Sequence, residues 1–416
     1  MSTCGKGMEM TRAMNLSTRL RIVASAAGIS SALFRWISAG AQDEGRSAAD
    51  AATPSLVQDA LPSLLALAPA SILNSADLPL WLVFGDIAAQ LAAGGIEPPN
   101  SIDDADGMTL WINASYPIAI ADPFRSYALR LSRDLMGFDV TDIDQSLEAG
   151  SPPGVRTLLR GRFDREAVAA AWDAHGYRIS EINGVTVATL FETAEIDLSN
   201  EISRIALSRM NNAAFLPDGS LAYAPTLELM RELIAVANGE APSIGQDDGI
   251  VTLLQSSAPT LASAVFFAGE ELSVESQLPV DFNLDDAASA ELMDLLERTD
   301  PMPPIAMGFV GITAGGPTKP DGGAPPVELP EATIVYRLLM SEPGSADDAV
   351  DVVLERLESM NSLKTNEPFI DIYELREASS IFDGAILGVD LRPAEGRSIA
   401  IWSNGLFARD LLFLAW

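Results

Sequence analysis

Residues 164–187, DREAVAAAWDAHGYRISEINGVTV, contain the clearest local signals for a fold in this sequence. Asp164 is placed to cap a helix that starts at the next residue, and Gly176 lies where a helix C-terminus favours glycine. Polar and apolar residues then alternate around Asn183 and Gly184, a pair that favours the tight turn of a β-hairpin. The stretch therefore predicts a helix followed by two antiparallel strands.

The same stretch contains His175, the one histidine of the chain. It falls in the last turn of the predicted helix, where an imidazole N–H can meet free backbone carbonyls. A serine triad would need this histidine as its base, but the sequence has no G-x-S-x-G nucleophile motif. A histidine zinc site would need more than one histidine. We interpret His175 as a structural helix-end residue and assign no catalytic or cofactor-binding residue.

A similar order of elements recurs near the end of the sequence. Residues 155–239 and 332–416 are each expected to run strand, helix, strand, strand, strand, with a closing helix or turn. In the second run Ser345 is an N-cap candidate, and Val350, Val353, Leu354 and Leu357 form one core-facing stripe of the following helix. The predicted class is α+β, with mostly antiparallel sheets and helices on one face. The two split β-α-β-like halves form an internal pseudo-repeat.

The predicted domain organisation follows from these patterns. Residues 56–260 form the first α+β half and residues 261–416 the second. The second half contains a proline- and glycine-rich loop at 314–331, interpreted as an exposed loop between paired strands, with an interdomain linker as the alternative. Helices are expected at 87–93 and 285–299, a strand at 79–83, and a further tight turn at Asp383 and Gly384.

Residues 1–41 have the pattern of a secretory signal peptide. Arginines precede the apolar run Ile22–Phe34, and the small-x-small triplet Ala39–Ala41 follows it. We expect cleavage before Gln42, with Met14 as an alternative start. The sequence therefore predicts a secreted or extracytoplasmic protein, at the cell surface or in the periplasm.

An uncleaved membrane anchor is the alternative to cleavage, but a span needs about 20 apolar residues and Arg35 interrupts this run. Residues 42–55 are small and polar and are expected to form a flexible tether. Cleavage also removes Cys4, the one cysteine of the chain, which would exclude disulfides and cysteine chemistry from the mature protein. No later stretch is apolar over the length of a membrane span.

The charge of the chain is one-sided, with 58 acidic against 26 basic residues and a formal net charge of −32. Such a field repels phosphate backbones, so we expect no nucleic-acid partner. We interpret the charge as a source of solubility, with attraction of cations or of a basic partner as the alternative.

Carboxylates are the main reactive and metal-binding side chains in this sequence. Two groups of aspartates are spaced closely enough to surround a calcium ion, a cation that prefers oxygen ligands. Neither group completes the D-x-[DN]-x-[DN]-G-x5-E pattern of a calcium loop. A speculative calcium site is predicted at one or both of these groups; their members are Asp103, Asp104, Asp106, Asp139, Asp142 and Asp144.

Residues 130–240 resemble a pattern found in uncharacterised secreted proteins and lipoproteins of bacteria. In that pattern a GFD segment leads to GxFD, a helix, GY and a short hairpin, as in "LMGFDVTDID", "GRFDREAVAAAWDAHGY" and "RISEINGVTV" here. The resemblance implies a bacterial, extracytoplasmic protein and implies no activity. Lipoprotein members carry a lipobox cysteine, which this chain lacks.

Three functions are compatible with these patterns. The first is a secreted, non-catalytic binding or scaffolding protein whose partner is an unknown small molecule or protein. The second is a secreted carboxylate-dependent hydrolase of the glycoside type, which would need two close acids and exposed aromatic side chains. The third is an extracytoplasmic solute-binding protein, whose fold would need parallel sheets. We favour the first.

Overall fold

The computed structural model of the protein describes residues 60–74, 80–99, 101–121, 124, 133–257, 261–273, 276, 300–315, 331–362, 364–399, 401–402 and 410–415. The predicted signal peptide at 1–41, the tether at 42–55 and the helix at 285–299 lie outside the described residues, as does most of the loop at 314–331. None of the described helices is both long enough and apolar enough to span a membrane.

The strands of the described residues form one twelve-stranded sheet in which every neighbouring pair is antiparallel. The order across the sheet is β11-β12-β10-β9-β8-β1-β2-β3-β7-β6-β5-β4. The strands are β1 Trp81–Asp86, β2 Ile143–Gly150, β3 Arg156–Gly161, β4 Arg178–Ile182, β5 Val185–Thr189, β6 Asn212–Phe215, β7 Leu221–Ala224, β8 Leu261–Ala268, β9 Ile305–Thr313, β10 Ile334–Met340, β11 Tyr373–Ile381 and β12 Ile386–Pro393.

Helices connect and cover these strands, which confirms the predicted α+β class. The described α-helices are α1 Ala60–Leu65, α2 Ile87–Ala93, α3 Ala105–Ser115, α4 Arg133–Met136, α5 Arg165–Ala174, α6 Glu201–Ala206, α7 Leu227–Ala237, α8 Asp248–Gln255, α9 Ala346–Ser359 and α10 Phe369–Ile372. Short 3-10 turns lie at Ala70–Asn74, Val140–Asp142, Ile244–Gln246, Gly269–Leu272 and Leu412–Leu414.

Both faces of the sheet carry a hydrophobic core, which differs from the expectation of helices on one face. Val83 of β1 packs in the core that includes α5 and α9, whereas its neighbours Leu82 and Phe84 pack in the core that includes α1, α7 and α8. The central strands explain the difference, because β1 and β8 are buried along almost their whole length. A strand with two buried faces needs helices on both sides.

The two predicted halves meet within this single sheet. β1 pairs with β8 in the antiparallel sense, with Val83 opposite Val265. On each side of this pair three consecutive strands form a meander, a helix crosses to the outer edge, and the chain returns inward. The two halves therefore share the order in which strands and helices are connected. The internal pseudo-repeat and the boundary at 260/261 stay predictions.

The predicted turns are confirmed in detail. Asn183 and Gly184 both have positive φ angles, as a type I′ hairpin between β4 and β5 requires. The turn between β11 and β12 contains Asp383 and Gly384 with positive φ, and Phe382 joins them at φ 54°. The third strand expected in the second run is not found, because residues 401–402 and 412–414 are helical in the described part of that segment.

Residues 117–121 lie over the centre of the sheet, where they contact β8, β1 and β2. The Ala119 N–H donates to Ser263 Oγ of β8 (3.0 Å), and the Ala121 N–H donates to Ser146 Oγ of β2 (3.2 Å). Between them lies Gly85 of β1, where a Cβ atom would stand 2.0 Å from the Ala119 carbonyl oxygen. The Trp402 indole N–H donates to the Pro117 carbonyl (2.9 Å), so the end of the chain holds this segment in place.

Candidate functional site

A buried carboxyl group, Asp86, lies where β1 passes into α2. Its Oδ1 accepts a hydrogen bond from the Ala89 N–H (2.8 Å) and caps the helix, and its Oδ2 accepts from Gln145 Nε2 (3.0 Å). Burial raises the pKa of Asp86 to about 6, and the nearby Asp144 charge adds to the rise, although the two hydrogen bonds oppose it. The side chain is only 2% exposed, so a substrate could not reach it in this conformation.

Asp144 of β2 lies near Asp86, and Asp139 and Asp142 precede it in the chain, at the 3-10 turn before β2. Asp139 forms an ion pair with Arg133, and its backbone N–H donates to Asp142 Oδ2 (2.9 Å). Arg162 Nε lies 3.6 Å from Asp144 Oδ1. Burial raises the pKa of both Asp142 and Asp144, while Arg162 acts in the opposite direction. The structure therefore brings these three aspartates together, with two arginines among them.

Asp103, Asp104 and Asp106 occupy the N-terminus of α3. Asp104 caps the helix by accepting the Gly107 N–H (3.0 Å), and Asp106 lies in the first turn, where an anion favours the helix dipole. All three side chains are exposed.

Calcium binding at either aspartate group stays a prediction. Across the described ranges, no group of three or more histidine, cysteine, aspartate or glutamate side chains is arranged to hold a metal ion. Asp104 already accepts a helix-capping hydrogen bond, and Asp139 already forms an ion pair with Arg133.

His175 forms the C-cap of α5. Its backbone N–H donates to the Ala171 carbonyl (3.1 Å), and its Nε2 lies 3.0 Å from the carbonyl oxygen of Asp134 on α4. Gly176 follows with φ +83°, as expected past a helix end. These contacts join two helices and are those of a structural residue.

The tryptophans that lie in the described residues offer no exposed ring for sugar stacking. Trp111, Trp172 and Trp402 are buried, and Trp81 is half-buried with its indole N–H donating to Glu148 (3.1 Å). Trp416 lies outside the described residues.

A cavity of about 300 Å³ opens between the end of α7 and the turn after α1. None of the six predicted aspartates lines it. Its lining residues are Ala66, Val236, Gly239, Glu240, Ala241, Pro242, Ser243 and Gln246.

β4 is the outermost strand at one edge of the described sheet. β4 pairs in regular register with β5, and within the described part of the chain no strand pairs with its other side. Four of its five residues are exposed, and Ile179 is 54% exposed. An edge strand of this kind presents a row of unpaired N–H and C=O groups.

The opposite edge, β11, carries the features by which natural sheets block such pairing. Its register shifts between Leu375 and Glu377, which marks a bulge at Arg376. Arg376 pairs with Glu331, and Arg392 of β12 pairs with both Glu331 and Glu374. Bulges and charged side chains discourage the addition of another strand.

The sequence patterns missed Asp86 and the contrast between the edges. Asp86 directly precedes a predicted helix, and this position is a signal for an N-cap. Its burial depends on β2 and β8, which are distant in sequence, and no local pattern indicates it. The bulge in β11 likewise depends on its pairing with β12.

Comparisons with protein-family models, with curated proteins and with solved structures each find no match.

Proposed function

We propose that the protein is an exported, non-catalytic binding or scaffolding protein of the bacterial cell exterior, and that it binds an extended segment of a partner protein at the outer edge of β4. The observation that carries this proposal is the contrast between the open edge at β4 and the blocked edge at β11. Export rests on the sequence of residues 1–41.

Strand addition suits this architecture physically. The β4–β5 pair has no register shift, and β5 is held in turn by β6, so the edge is part of a continuous ladder. A partner strand would form main-chain hydrogen bonds with such an edge, and side chains on β4 would select its sequence. The neighbouring strand β5 has buried side chains in both cores, Ala188 in one and Val187 in the other, so packing holds the strand beside the edge.

The alternative functions have less support. The buried Asp86 and the half-buried and buried tryptophans do not form the open cleft with an aromatic floor that a glycoside hydrolase needs. A solute-binding protein of the expected type alternates strands and helices in parallel sheets, whereas every described strand pair is antiparallel.

The test compares matched variants of the two edges. Two synthetic peptides serve as probes, one with the repeat Val-Thr-Lys-Thr and one with the repeat Val-Thr-Glu-Thr, so that valine and the charged residue alternate along one face of the peptide strand. We expect at least one peptide to slow hydrogen exchange of the β4 amides and to leave the β11 amides unchanged.

Ile179→Lys should weaken this binding, and Leu375→Lys, which changes a 39% exposed side chain on β11, should not. Both variants should melt within about 0.5 kcal/mol of the parent because both side chains are on the surface. If neither peptide protects β4, or if protection appears equally at β11, binding at the β4 edge is wrong.

A further inference from the structure

The side chains of β4 differ in whether their charges are already neutralised. Arg178 pairs with Glu192, with Nη2 and Oε1 3.3 Å apart. Glu181 is exposed and forms no ion pair with any residue that the structure describes. Because strand side chains alternate, Glu181 and the exposed Ile179 lie on the same face of the edge.

A second carboxylate lies at the same end of β4. Glu240, which follows α7, accepts a hydrogen bond from Asn183 Nδ2 in the β4–β5 turn (3.0 Å). It too forms no ion pair within the described ranges. On β11 the Glu374 carboxylate is neutralised by Arg392, whereas Glu377 forms no ion pair within the described residues and lies next to Arg376 in the chain. The open edge therefore carries uncompensated negative charge close to an exposed apolar side chain.

Resting on the proposed function, we infer that the partner segment is a basic extended strand, with an apolar side chain opposite Ile179 and a lysine or arginine opposite Glu181. Residues that are two apart in a strand share one face, so the two partner side chains would be separated by one residue. Opposite charges directly across a strand pair stabilise it.

The net charge of the whole chain also favours a basic partner over an acidic one. At −32 it attracts a basic segment over long range and repels an acidic one. This attraction weakens as salt is added, because the screening length falls to about 8 Å at physiological ionic strength. The pairing with Glu181 is local and should survive at such salt concentrations better than the long-range attraction.

The experiment uses the two peptides on the full chain at physiological salt. We expect the lysine peptide to bind more tightly than the glutamate peptide. Glu181→Gln should lower the affinity for the lysine peptide roughly two- to fivefold, the effect of one cross-strand ion pair. Glu377→Gln makes the same change in net charge on β11, at the opposite edge of the sheet. Because this residue cannot contact a strand bound at β4, the variant should leave the affinity for the lysine peptide unchanged.

The outcomes separate this inference from the proposed function. Equal binding of both peptides at β4, or equal effects of Glu181→Gln and Glu377→Gln, would overturn the selection for a basic strand and leave binding at the edge intact. Absence of β4 protection with both peptides would overturn the edge proposal itself. Hydrogen exchange identifies the strand, and titration calorimetry gives the affinities.

Discussion

The two halves of the sheet follow one path but end differently. In the first half, β1, β2 and β3 lead through α5 to β4, and the chain returns through β5, β6 and β7. In the second half, β8, β9 and β10 lead through α9 to β11, and the chain returns through β12 alone. The half with the longer return ends in the regular, open edge, and the half with the shorter return ends in the bulged, charged edge.

This difference shows that the path of the chain and the chemistry of its edges are separate properties. Both outer strands follow a crossover helix that packs in the same core, yet in the described residues only β11 has a register shift. The ion pairs beside β11 form a network of three contacts, whereas β4 has the single Arg178–Glu192 pair. Main-chain connectivity therefore does not determine which edge remains available, whereas local side chains do. The following variants test how far the halves depend on each other and how far they differ.

The largest effect is expected from Gly85→Ala, at the junction of the halves. The new Cβ would lie 2.0 Å from the Ala119 carbonyl oxygen, which its hydrogen-bonded segment holds over the sheet. We expect a loss of about 3 kcal/mol or more in the free energy of unfolding. Gly95→Ala is the control: it has no atom within 4 Å but has φ +61°, so it should cost about 1 kcal/mol.

Urea unfolding followed by hydrogen exchange measures both glycine variants. If the halves form one cooperative unit, Gly85→Ala should increase exchange in β3 and β10 together. An effect confined to one half would instead support independent folding on either side of the 260/261 boundary.

The next effect concerns Asp86 and is a dependence on pH. Its pKa is about 6 in the folded chain and 3.8 as a reference, so the folded state binds more protons between these values. Stability from this group is fully present below about pH 4 and is lost as the pH rises through 6. The whole change is roughly 3 kcal/mol at most.

Asp86→Asn should remove this change, because an amide does not titrate in this range. The asparagine can still cap α2, and Gln145 can turn its amide to accept a hydrogen bond. Between pH 4 and pH 7, the melting temperature of the variant relative to that of the parent protein should increase as the pH rises. A constant difference between the two curves would contradict the raised pKa.

A smaller effect is expected where the crossover helices begin. Asp164 accepts hydrogen bonds from the Glu166 and Ala167 N–H groups, whereas Ser345 forms no side-chain cap and donates to the Glu342 carbonyl instead. Asp164→Ala should cost about 1 kcal/mol, and Ser345→Ala at most about 0.5 kcal/mol. Chemical denaturation of both variants checks this order, and equal losses would contradict it.

Local sequence patterns predicted local structure well. The turn at Asn183 and Gly184, the cap at Asp164 and the helix Ile87–Ala93 all depend on residues a few positions apart, and all are confirmed. In α9 the predicted N-terminus is confirmed, but Ala349 and Val352 are more buried than the predicted Val350 and Leu354.

Long-range structure was less predictable. The first strand was expected at 79–83 and runs from Trp81 to Asp86, because an apolar run has no alternation to define its ends. The pairing of β1 with β8, the burial of Asp86 and the open edge of β4 all depend on contacts between distant segments. No spacing within a single segment contains that information.

The Trp402–Pro117 hydrogen bond has a consequence for the order of folding. It joins residues 285 positions apart, and the Gly315–Gln90 bond joins residues 225 positions apart. During synthesis β1 is made long before β8, so the edge of β1 that pairs with β8 in the folded protein stays unpaired until β8 has been made. Folds dominated by such distant contacts form slowly. A chain cut short before β8 would keep an apolar strand edge uncovered, which makes it prone to aggregation and a substrate for chaperones that hold unfolded chains.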